Sequence, residues 1–311
     1  MDSLLVGLAA ALSFVFGWNN SSLLIGNVRG SGTLSYGTIL VLAIAGLLLG
    51  SFLEGPKMAG SLVGSLAPTA STSALTATIF VSLALTLAMT LLKLPVSFSM
   101  VMVGAFIGST LASAVAVDAA RSLLVVAFWF VAPLGTALLT YLIYRGTKGL
   151  VSGFGILAVD SLNRSGSLVS AFAVSYTLGA NNIGMFFGST GGASGLLAEG
   201  EAFALLALAA VLGVVLLGRN SLGGTVGDRM LALSPQGVFS AFVASSLVVW
   251  AGTQFAFPVS ITQCLIGGML GAAFSRHVSI VNTKLVAETV SLWVLAPLAA
   301  LALAYLATMA L

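Results

Sequence analysis

Charged residues are scarce in this chain: of its 311 residues only 6% are charged, whereas 59% are hydrophobic. Soluble domains carry about 25% charged residues, so this composition excludes an ordinary water-soluble globule. It also excludes a disordered or nucleic-acid-binding chain, because both need many more charges. The formal net charge is only +3, which leaves no polybasic surface. The single cysteine, Cys264, excludes an internal disulfide and a cysteine-based metal site.

Catalytic signatures are absent as well. The sequence contains no Walker A motif and no His-Glu-x-x-His motif, so it predicts neither ATP hydrolysis by that route nor a zinc site. Ser194, in the run Gly192-Ala193-Ser194-Gly195, could act as a nucleophile with His277, the only histidine, as its base. A flexible connection explains this glycine-rich stretch better. We therefore expect a protein that is not an enzyme and that carries no cofactor.

Long apolar runs are what the sequence does have. A membrane-spanning helix needs roughly 20 mostly apolar residues, and ten segments approach that length. They cover about residues 3–20, 34–53, 74–92, 98–117, 122–144, 166–188, 200–218, 234–254, 258–275 and 286–309. Met1-Asp2 leads directly into apolar residues without the positive start of a secretory signal, so we expect the first segment to be retained. The sequence thus predicts an all-α polytopic protein of the cytoplasmic membrane.

The two halves of the chain repeat the same motifs in the same order. Gly17-Trp18-Asn19-Asn20 matches Gly179-Ala180-Asn181-Asn182, Pro95-Val96-Ser97-Phe98-Ser99 matches Pro258-Val259-Ser260-Ile261-Thr262, and Phe128–Pro133 matches Leu292–Pro297. The offsets are 162, 163 and 164 residues, a regularity that is hard to obtain by chance. We infer an internal duplication, with a first membrane repeat at 1–144, a polar cytoplasmic linker at 145–165 and a second membrane repeat at 166–311.

Lys and Arg residues indicate the topology. If each segment crosses once and the amino terminus is outside, nine of them fall on the cytoplasmic side, and only Lys57 and Arg121 fall outside, as the positive-inside rule requires. Both termini would then be outside. Five crossings per repeat is an odd number, so the two repeats would be inverted, an architecture that recurs in secondary transporters. The Pro-Val-Ser segments could instead be broken or re-entrant helices.

Two asparagine pairs, Asn19-Asn20 and Asn181-Asn182, lie within apolar segments, each close to a glycine. Glycine permits a helix break, which would free backbone N–H and C=O groups, and side-chain amides offer both donors and acceptors to a polar ligand. We therefore expect each pair to form half of a substrate site near the middle of the membrane. The alternative is that these amides only hydrogen-bond neighbouring helices to each other.

The Pro-Val-Ser motifs predict helix starts, because proline interrupts one helix and is favoured in the first turn of the next. Their hydroxyls would lie among unpaired backbone N–H groups at a positive helix end, which binds anions. The neutral polar groups available to a small oxyanion there are Ser97, Ser99, Ser260, Thr262 and Gln263. An ordinary proline kink capped by Ser or Thr is the alternative.

Four further residues are candidates for the same cavity: Ser21, Thr90, Lys93 and Thr253. Thr90 and Thr253 occupy equivalent repeat positions, although a hydroxyl bonded to its own helix backbone is as good an explanation. Lys93 could attract an anion or extend to the membrane interface. Glu288, near a segment end, is expected at the interface.

Taken together, the duplicated Gly-x-Asn-(Asp/Asn), Pro-Val-Ser-x-(Ser/Thr) and Trp-x-x-x-Pro segments resemble the inorganic phosphate transporter (PiT) family over about residues 3–309. Its members carry Gly-Ala-Asn-Asp and Pro-Val-Ser-Thr-Thr-His-like signatures in each repeat. The resemblance implies an inverted-repeat fold, often a homodimer, that moves phosphate with a coupling cation. It assigns the anion and cation sites to Asn19, Asn20, Ser97, Ser99, Asn181, Asn182, Ser260, Thr262 and Gln263.

The departures from the family pattern concern selectivity. The signature aspartates are Asn20 and Asn182 here, and the threonine-histidine end reads Ser99-Met100 and Thr262-Gln263. Losing two carboxylates removes natural Na⁺ ligands, so H⁺ coupling is slightly favoured over a Na⁺ ion near the two asparagines. Phosphate keeps a proton near pH 7 and benefits from a carboxylate acceptor, whereas sulfate wants donors only. The asparagines therefore slightly favour sulfate, as in the sulfate permease branch of the family.

We accordingly expect a secondary active transporter of sulfate or phosphate, coupled to H⁺ or Na⁺ and working by alternating access. An anion channel would use the same donors without alternating access. A non-transporting membrane sensor would keep the fold with a degraded motif.

Overall fold

The computed structural model describes residues 2–67, 70–94, 97–190, 197–218, 233–276 and 283–310, and its regular elements are all helical. They are α1 (Asp2–Gly30), α2 (Tyr36–Leu53), α3 (Gly55–Met58), α4 (Thr72–Leu91), α5 (Phe98–Ala112), α6 (Ala119–Val151), α7 (Ile156–Leu178), α8 (Gly184–Gly188), α9 (Glu199–Leu217), α10 (Pro235–Gln254), α11 (Ile261–Arg276) and α12 (Thr283–Ala310). A π-helical turn, Gly179–Ile183, joins α7 to α8. By length and composition seven helices within these ranges can cross a membrane, namely α1, α2, α4, α6, α9, α10 and α12. The prediction of an all-α polytopic protein is confirmed.

Each predicted segment corresponds to a helix, but several helices run further than the apolar runs do. The polar stretch 145–165, predicted as a linker, is helical except at 152–155, because α6 ends at Val151 and α7 begins at Ile156. The charged side chains in this stretch, such as Arg145 and Asp160, are exposed. A helix can therefore continue through polar sequence beyond the apolar layer, since its backbone remains hydrogen-bonded and its charges stay in water.

Polar caps determine where several helices begin. The Ser35 hydroxyl accepts from the backbone N–H of Thr38 at the start of α2, and Ser71 does the same at the start of α4. Asp118 caps α6 by accepting the N–H of Arg121 at 2.8 Å. These side chains satisfy N–H groups that the first helical turn leaves without an intrahelical partner.

The two halves of the chain interlock. Helix α5 of the first half packs against α12 of the second, and α11 of the second packs against α6 of the first. In the same way α1 packs against α9, and α2 packs against α7. Neither half therefore forms its own separate core, and the largest hydrophobic cluster draws residues from both.

Glycines permit the closest of these contacts. A Cβ at Gly104 would lie 2.3 Å from the carbonyl oxygen of Pro297, and one at Gly108 would lie 2.0 Å from that of Leu301. Gly267 and Gly271 of α11 meet α6 in the same way, each 2.2 Å from a carbonyl oxygen. Both helices carry glycines four residues apart, the small-residue spacing that lets membrane helices approach closely.

The chain breaks at each Pro-Val-Ser motif and returns as a helical hairpin. Residues 92–97 connect α4 to α5, and residues 255–260 connect α10 to α11. In each hairpin the two helices pack against each other. With 15 and 16 residues, α5 and α11 are about 22–24 Å long, which is short of the roughly 30 Å apolar layer of a bilayer. Pro95 and Val96 lie outside the described residues.

Candidate functional site

The two asparagine segments differ in backbone conformation. Helix α1 runs without a break through Asn19 and Asn20, whereas Asn181 and Asn182 lie in the π-helical turn. The predicted helix break is therefore wrong in the first half. The glycine at position 17 serves packing instead, because a Cβ there would lie 1.9 Å from the carbonyl oxygen of Ala210 on α9.

A cavity forms where the two hairpin tips meet α1 and the π-helical turn. It is lined by Phe16, Asn20, Ser97, Phe98, Ser99, Asn182, Ser260, Ile261 and Thr262. Six of these nine are residues that the sequence singles out as substrate-binding, and they come in equivalent pairs from the two halves. The space between them is too small to hold a water molecule, so the lining side chains pack closely.

Hydrogen bonds tie the two halves together across this cavity. The Ser99 hydroxyl lies 3.2 Å from both Asn182 Oδ1 and the carbonyl oxygen of Val259 and can donate to either. The amide nitrogens of Asn20 and Asn182 donate back to their own helices, to the Phe16 and Leu178 carbonyls at 3.0 and 3.4 Å. Each amide nitrogen uses one of its two N–H groups in this bond, and each amide oxygen has two lone pairs with which it can accept.

Two helix amino termini point at the same place. Ser97 Oγ accepts from the N–H of Met100 at 3.3 Å, and Ser260 Oγ accepts from the N–H of Gln263 at 3.2 Å. Each serine is thus a helix cap, which is the ordinary structural interpretation of the motif. A capping oxygen still carries its own hydroxyl proton, however, and the N–H groups of the first helical residues have no intrahelical partner. Both features favour an anion.

Asn19 and Asn181 hold the hairpins without lining the cavity. The Asn19 amide donates to Thr90 Oγ1 at 3.0 Å, and the Asn181 amide donates to Thr253 Oγ1 at the same distance. The two threonine hydroxyls in turn donate to their own helix backbones. Asn181 Nδ2 also reaches the Phe257 carbonyl at 3.1 Å. These contacts attach the last turn of α4 and of α10 to the asparagine segments.

Gln263 lies apart from the cavity lining although it is only 1% exposed. Neither its Nε2 nor its Oε1 has a hydrogen-bond partner. One turn further along α11, Gly267 packs against the carbonyl of Pro133, so Gln263 belongs near the contact between α11 and α6. A buried amide without partners is costly, which makes this residue the least explained of the predicted set.

The remaining candidates take separate places. Ser21 lines a second small cavity with Asn20 and Ser175, which has room for about one water molecule. Lys93 is exposed with a positive φ of 57° and does not line the oxyanion cavity. Glu288 is exposed and lies 3.9 Å from Lys284. Ser194 and His277 lie outside the described residues.

Aromatic residues are the part of the site that motif reasoning missed. The Phe16 ring meets the rings of Phe98 and Phe186 edge-on, each at 5.3 Å between centroids. Phe16 lies one helical turn before Asn20, and Phe98 stands between Ser97 and Ser99, so helical spacing from the polar motif could have found both. No charged side chain lines the cavity, and the described residues contain no cluster of His, Cys, Asp or Glu that could hold a metal ion.

Comparison with known proteins gives consistent relatives. The profile of the phosphate transporter family matches residues 16–304. The putative phosphate permease of Methanocaldococcus jannaschii is 28% identical over 95% of this chain and 93% of that protein. A sulfate permease of Bacillus subtilis is 27% identical over 68% of this chain and 60% of its own length.

A solved structure shares the fold. The structure described as the sodium-dependent phosphate transporter matches with a TM-score of 0.85 and covers 99% of this chain and 98% of its own. Its sequence identity is 16%, so this likeness concerns the fold.

Proposed function

Because this chain belongs to the phosphate transporter family, we propose that it is a secondary active transporter that carries a tetrahedral inorganic oxyanion across the cytoplasmic membrane. The resemblance inferred from the sequence is confirmed, as is the expectation of a transporter and not an enzyme. The observation that carries the proposal is the cavity shared by both halves of the chain. It offers serine and threonine hydroxyls and two helix amino termini, with no fixed cation.

Alternating access follows from the way the cavity is built. The duplicated motifs and the exchanged helices support two inverted repeats, 1–144 and 166–311, related by a pseudo-two-fold axis through the cavity. The binding groups lie on the two hairpins and on the asparagine segments they touch. Rocking of the repeats or movement of one hairpin tip at a time would then expose the same groups first to one side and then to the other.

The groups that line the closed cavity suit both phosphate and sulfate, and the orientation of the amides bears on the preference between them. The sequence argument for sulfate treats the asparagines as donors. In the structure each nitrogen gives one of its two N–H groups to a helix carbonyl, and the amide oxygens can accept a hydrogen bond from the proton that phosphate carries. This orientation weakens the preference for sulfate and supports phosphate on equal terms.

The residues that line the cavity also bear on which ion is coupled to transport. None of the described residues that line the cavity is titratable, so a coupled proton would travel on the substrate itself. Na⁺ would instead use neutral oxygen ligands, for which the amide oxygens of Asn20 and Asn182 are placed. The family resemblance further supports a homodimer. The distribution of Lys and Arg supports a topology with both termini outside.

Uptake of labelled phosphate and sulfate into proteoliposomes tests the proposal. Asn20→Ala and Asn182→Ala should each reduce uptake by at least tenfold, while Asn163→Ala, an asparagine outside the cavity, should leave it unchanged. Thermal unfolding of each purified variant shows whether the fold is kept. Normal uptake by both cavity variants would refute the site.

Two rival functions give different results in the same vesicles. A transporter shows saturation and counterflow, in which unlabelled anion inside accelerates labelled uptake. A channel conducts without counterflow, and a sensor shows no flux.

A further inference from the structure

The tip of the second hairpin is held by cations from the first half of the chain. Lys57 Nζ donates to Gln254 Oε1 at 2.6 Å. Arg121 donates to the Phe255 carbonyl at 2.9 Å, and its guanidinium carbon lies 4.0 Å from the centre of the Phe257 ring. One cation comes from α3 and the other from the first turn of α6, and they hold consecutive residues of the tip.

Glu54 completes this arrangement. Its carboxylate accepts from Gln254 Nε2 at 2.7 Å and from Trp250 Nε1 at 3.1 Å. It also lies 3.7 Å from Lys57 Nζ. Hydrogen bonds to charged groups are roughly twice as strong as neutral ones, and here they join halves of the chain that are far apart in sequence. We call Glu54, Lys57, Arg121 and Gln254 the tip lock.

The tip lock lies beside Asn181, whose neighbour in the chain, Asn182, lines the cavity. Met58, next to Lys57, is fully buried with its sulfur 3.7 Å from Asn181 Nδ2. Thr253, next to Gln254, accepts a hydrogen bond from the same amide, and so does the Phe257 carbonyl. A motion that opens a path to Asn181 from this side must separate α3 from the tip, and it therefore breaks the lock.

Among the described residues, the first hairpin tip shows no contacts like those of the tip lock. Its described residues, 92–94, receive no hydrogen bond or ion pair from a side chain of the second half, and their backbone N–H groups bond within the end of α4. The lysine in this tip, Lys93, is exposed, and Ala256 occupies the equivalent position in the second tip.

We propose that the tip lock closes the cavity on the side of the membrane where Lys57 and Arg121 lie, and that breaking it shifts the protein towards conformations open to that side. The proposal rests on the transport function above, because only a protein that admits its ligand from both sides needs such a closure. Lys57, Glu54 and Arg121 are then positioning residues, since they act through the hairpin tip and do not touch the cavity.

Site-directed labelling tests the lock independently of transport. Cys264 is the only cysteine of the chain, so Cys264→Ser provides a background in which Met58→Cys reports access beneath the lock. A membrane-impermeant thiol reagent is applied to intact cells and, separately, to inverted vesicles. In the protein whose lock residues are unchanged, the reporter should be labelled slowly from both sides.

The combination Lys57→Met with Arg121→Leu should then accelerate labelling about tenfold or more from one side only, as loss of charge-assisted hydrogen bonds implies. Replacing Lys57 with arginine instead keeps a cation at this position, so labelling of the Lys57→Arg variant should stay slow. The matched control is Lys284→Met, because it breaks an exposed ion pair within α12, and it should have no effect. Fast labelling with the lock intact, no acceleration in the double variant, or equal acceleration from both sides would overturn the proposal.

These outcomes separate the lock from the proposed function. Labelling that follows the prediction in a protein whose Asn20→Ala and Asn182→Ala variants transport normally would retain the lock and discard the substrate site. One-sided acceleration together with a lower apparent KM for the anion on that side would support both, because the conformation competent to bind there becomes more populated.

Discussion

Replacing Gln263 with methionine should stabilise the protein and at the same time impair transport. Gln263 is 1% exposed, and both polar atoms of its amide lack hydrogen-bond partners. Leaving a buried polar group unpaired costs about 1–3 kcal/mol. Methionine has nearly the same length, fills irregular gaps well and already stands at the equivalent position of the first half, as Met100.

The expected gain is about 2 kcal/mol, which for a chain of this length corresponds to a rise of roughly 3 °C in the unfolding midpoint. Thermal unfolding in detergent measures it. The reciprocal variant Met100→Gln is the matched control, because it buries an amide at the equivalent place and should lower the midpoint by a similar amount.

Uptake of labelled oxyanion supplies the second measurement. A polar group retained at a cost to stability indicates use in another state of the transport cycle, so Gln263→Met should reduce uptake several-fold although the protein is more stable. A lower unfolding midpoint in Gln263→Met would show that the amide is satisfied in the native protein and would refute the reasoning. A stabilised variant with normal uptake would show that Gln263 takes no part in transport.

Two further predictions concern packing and the cavity. Gly108→Val should lower the unfolding midpoint strongly, because even a Cβ there would lie 2.0 Å from the Leu301 carbonyl oxygen. The control is Gly135→Ala, which should stabilise α6 by about 0.5–1 kcal/mol, because no atom lies within 4 Å of the added Cβ. Equal effects of the two substitutions would contradict the role given to glycine. Ser99→Ala removes a donor shared by Asn182 Oδ1 and the Val259 carbonyl and should raise the KM for the oxyanion about tenfold. Ser99→Thr keeps a hydroxyl, as the equivalent Thr262 does, and should leave the KM near its original value. An unchanged KM in Ser99→Ala would place the oxyanion elsewhere.

The polar motifs allowed a substantial part of the candidate cavity to be predicted. Asn20 and Asn182, with the hydroxyl residues of the two Pro-Val-Ser motifs, stand out because polar groups are rare in apolar segments. Their pairing at a nearly constant offset places them at equivalent positions. What the motifs could not distinguish is which asparagine of each pair faces the cavity, because adjacent residues of a helix point about 100° apart and the packing partners decide between them.

Long-range contacts account for the remaining differences. The sequence predicts that the glycines near the asparagines allow helix breaks. In the structure Gly17 instead packs against the carbonyl of Ala210 on α9, which is nearly 200 residues away in sequence. The sequence predicts a linker at 145–165, whereas in the structure α6 and α7 extend into this stretch, because its charges are exposed. Neither outcome can be read from local propensity, because a helix also accepts glycine or charge when its neighbours leave room.

The sequence by itself determined the membrane class, the helical segments, the duplication and the chemical character of the site, since composition, apolar length and motif spacing are properties of the chain alone. Only the tertiary structure decided that α5 and α11 exchange partners between the halves, that Asn20 and Asn182 each donate one N–H to a helix carbonyl, and that Lys57 and Arg121 hold one hairpin tip. These features depend on which distant backbones approach each other, and the close contacts that fix them form only when both halves fold together.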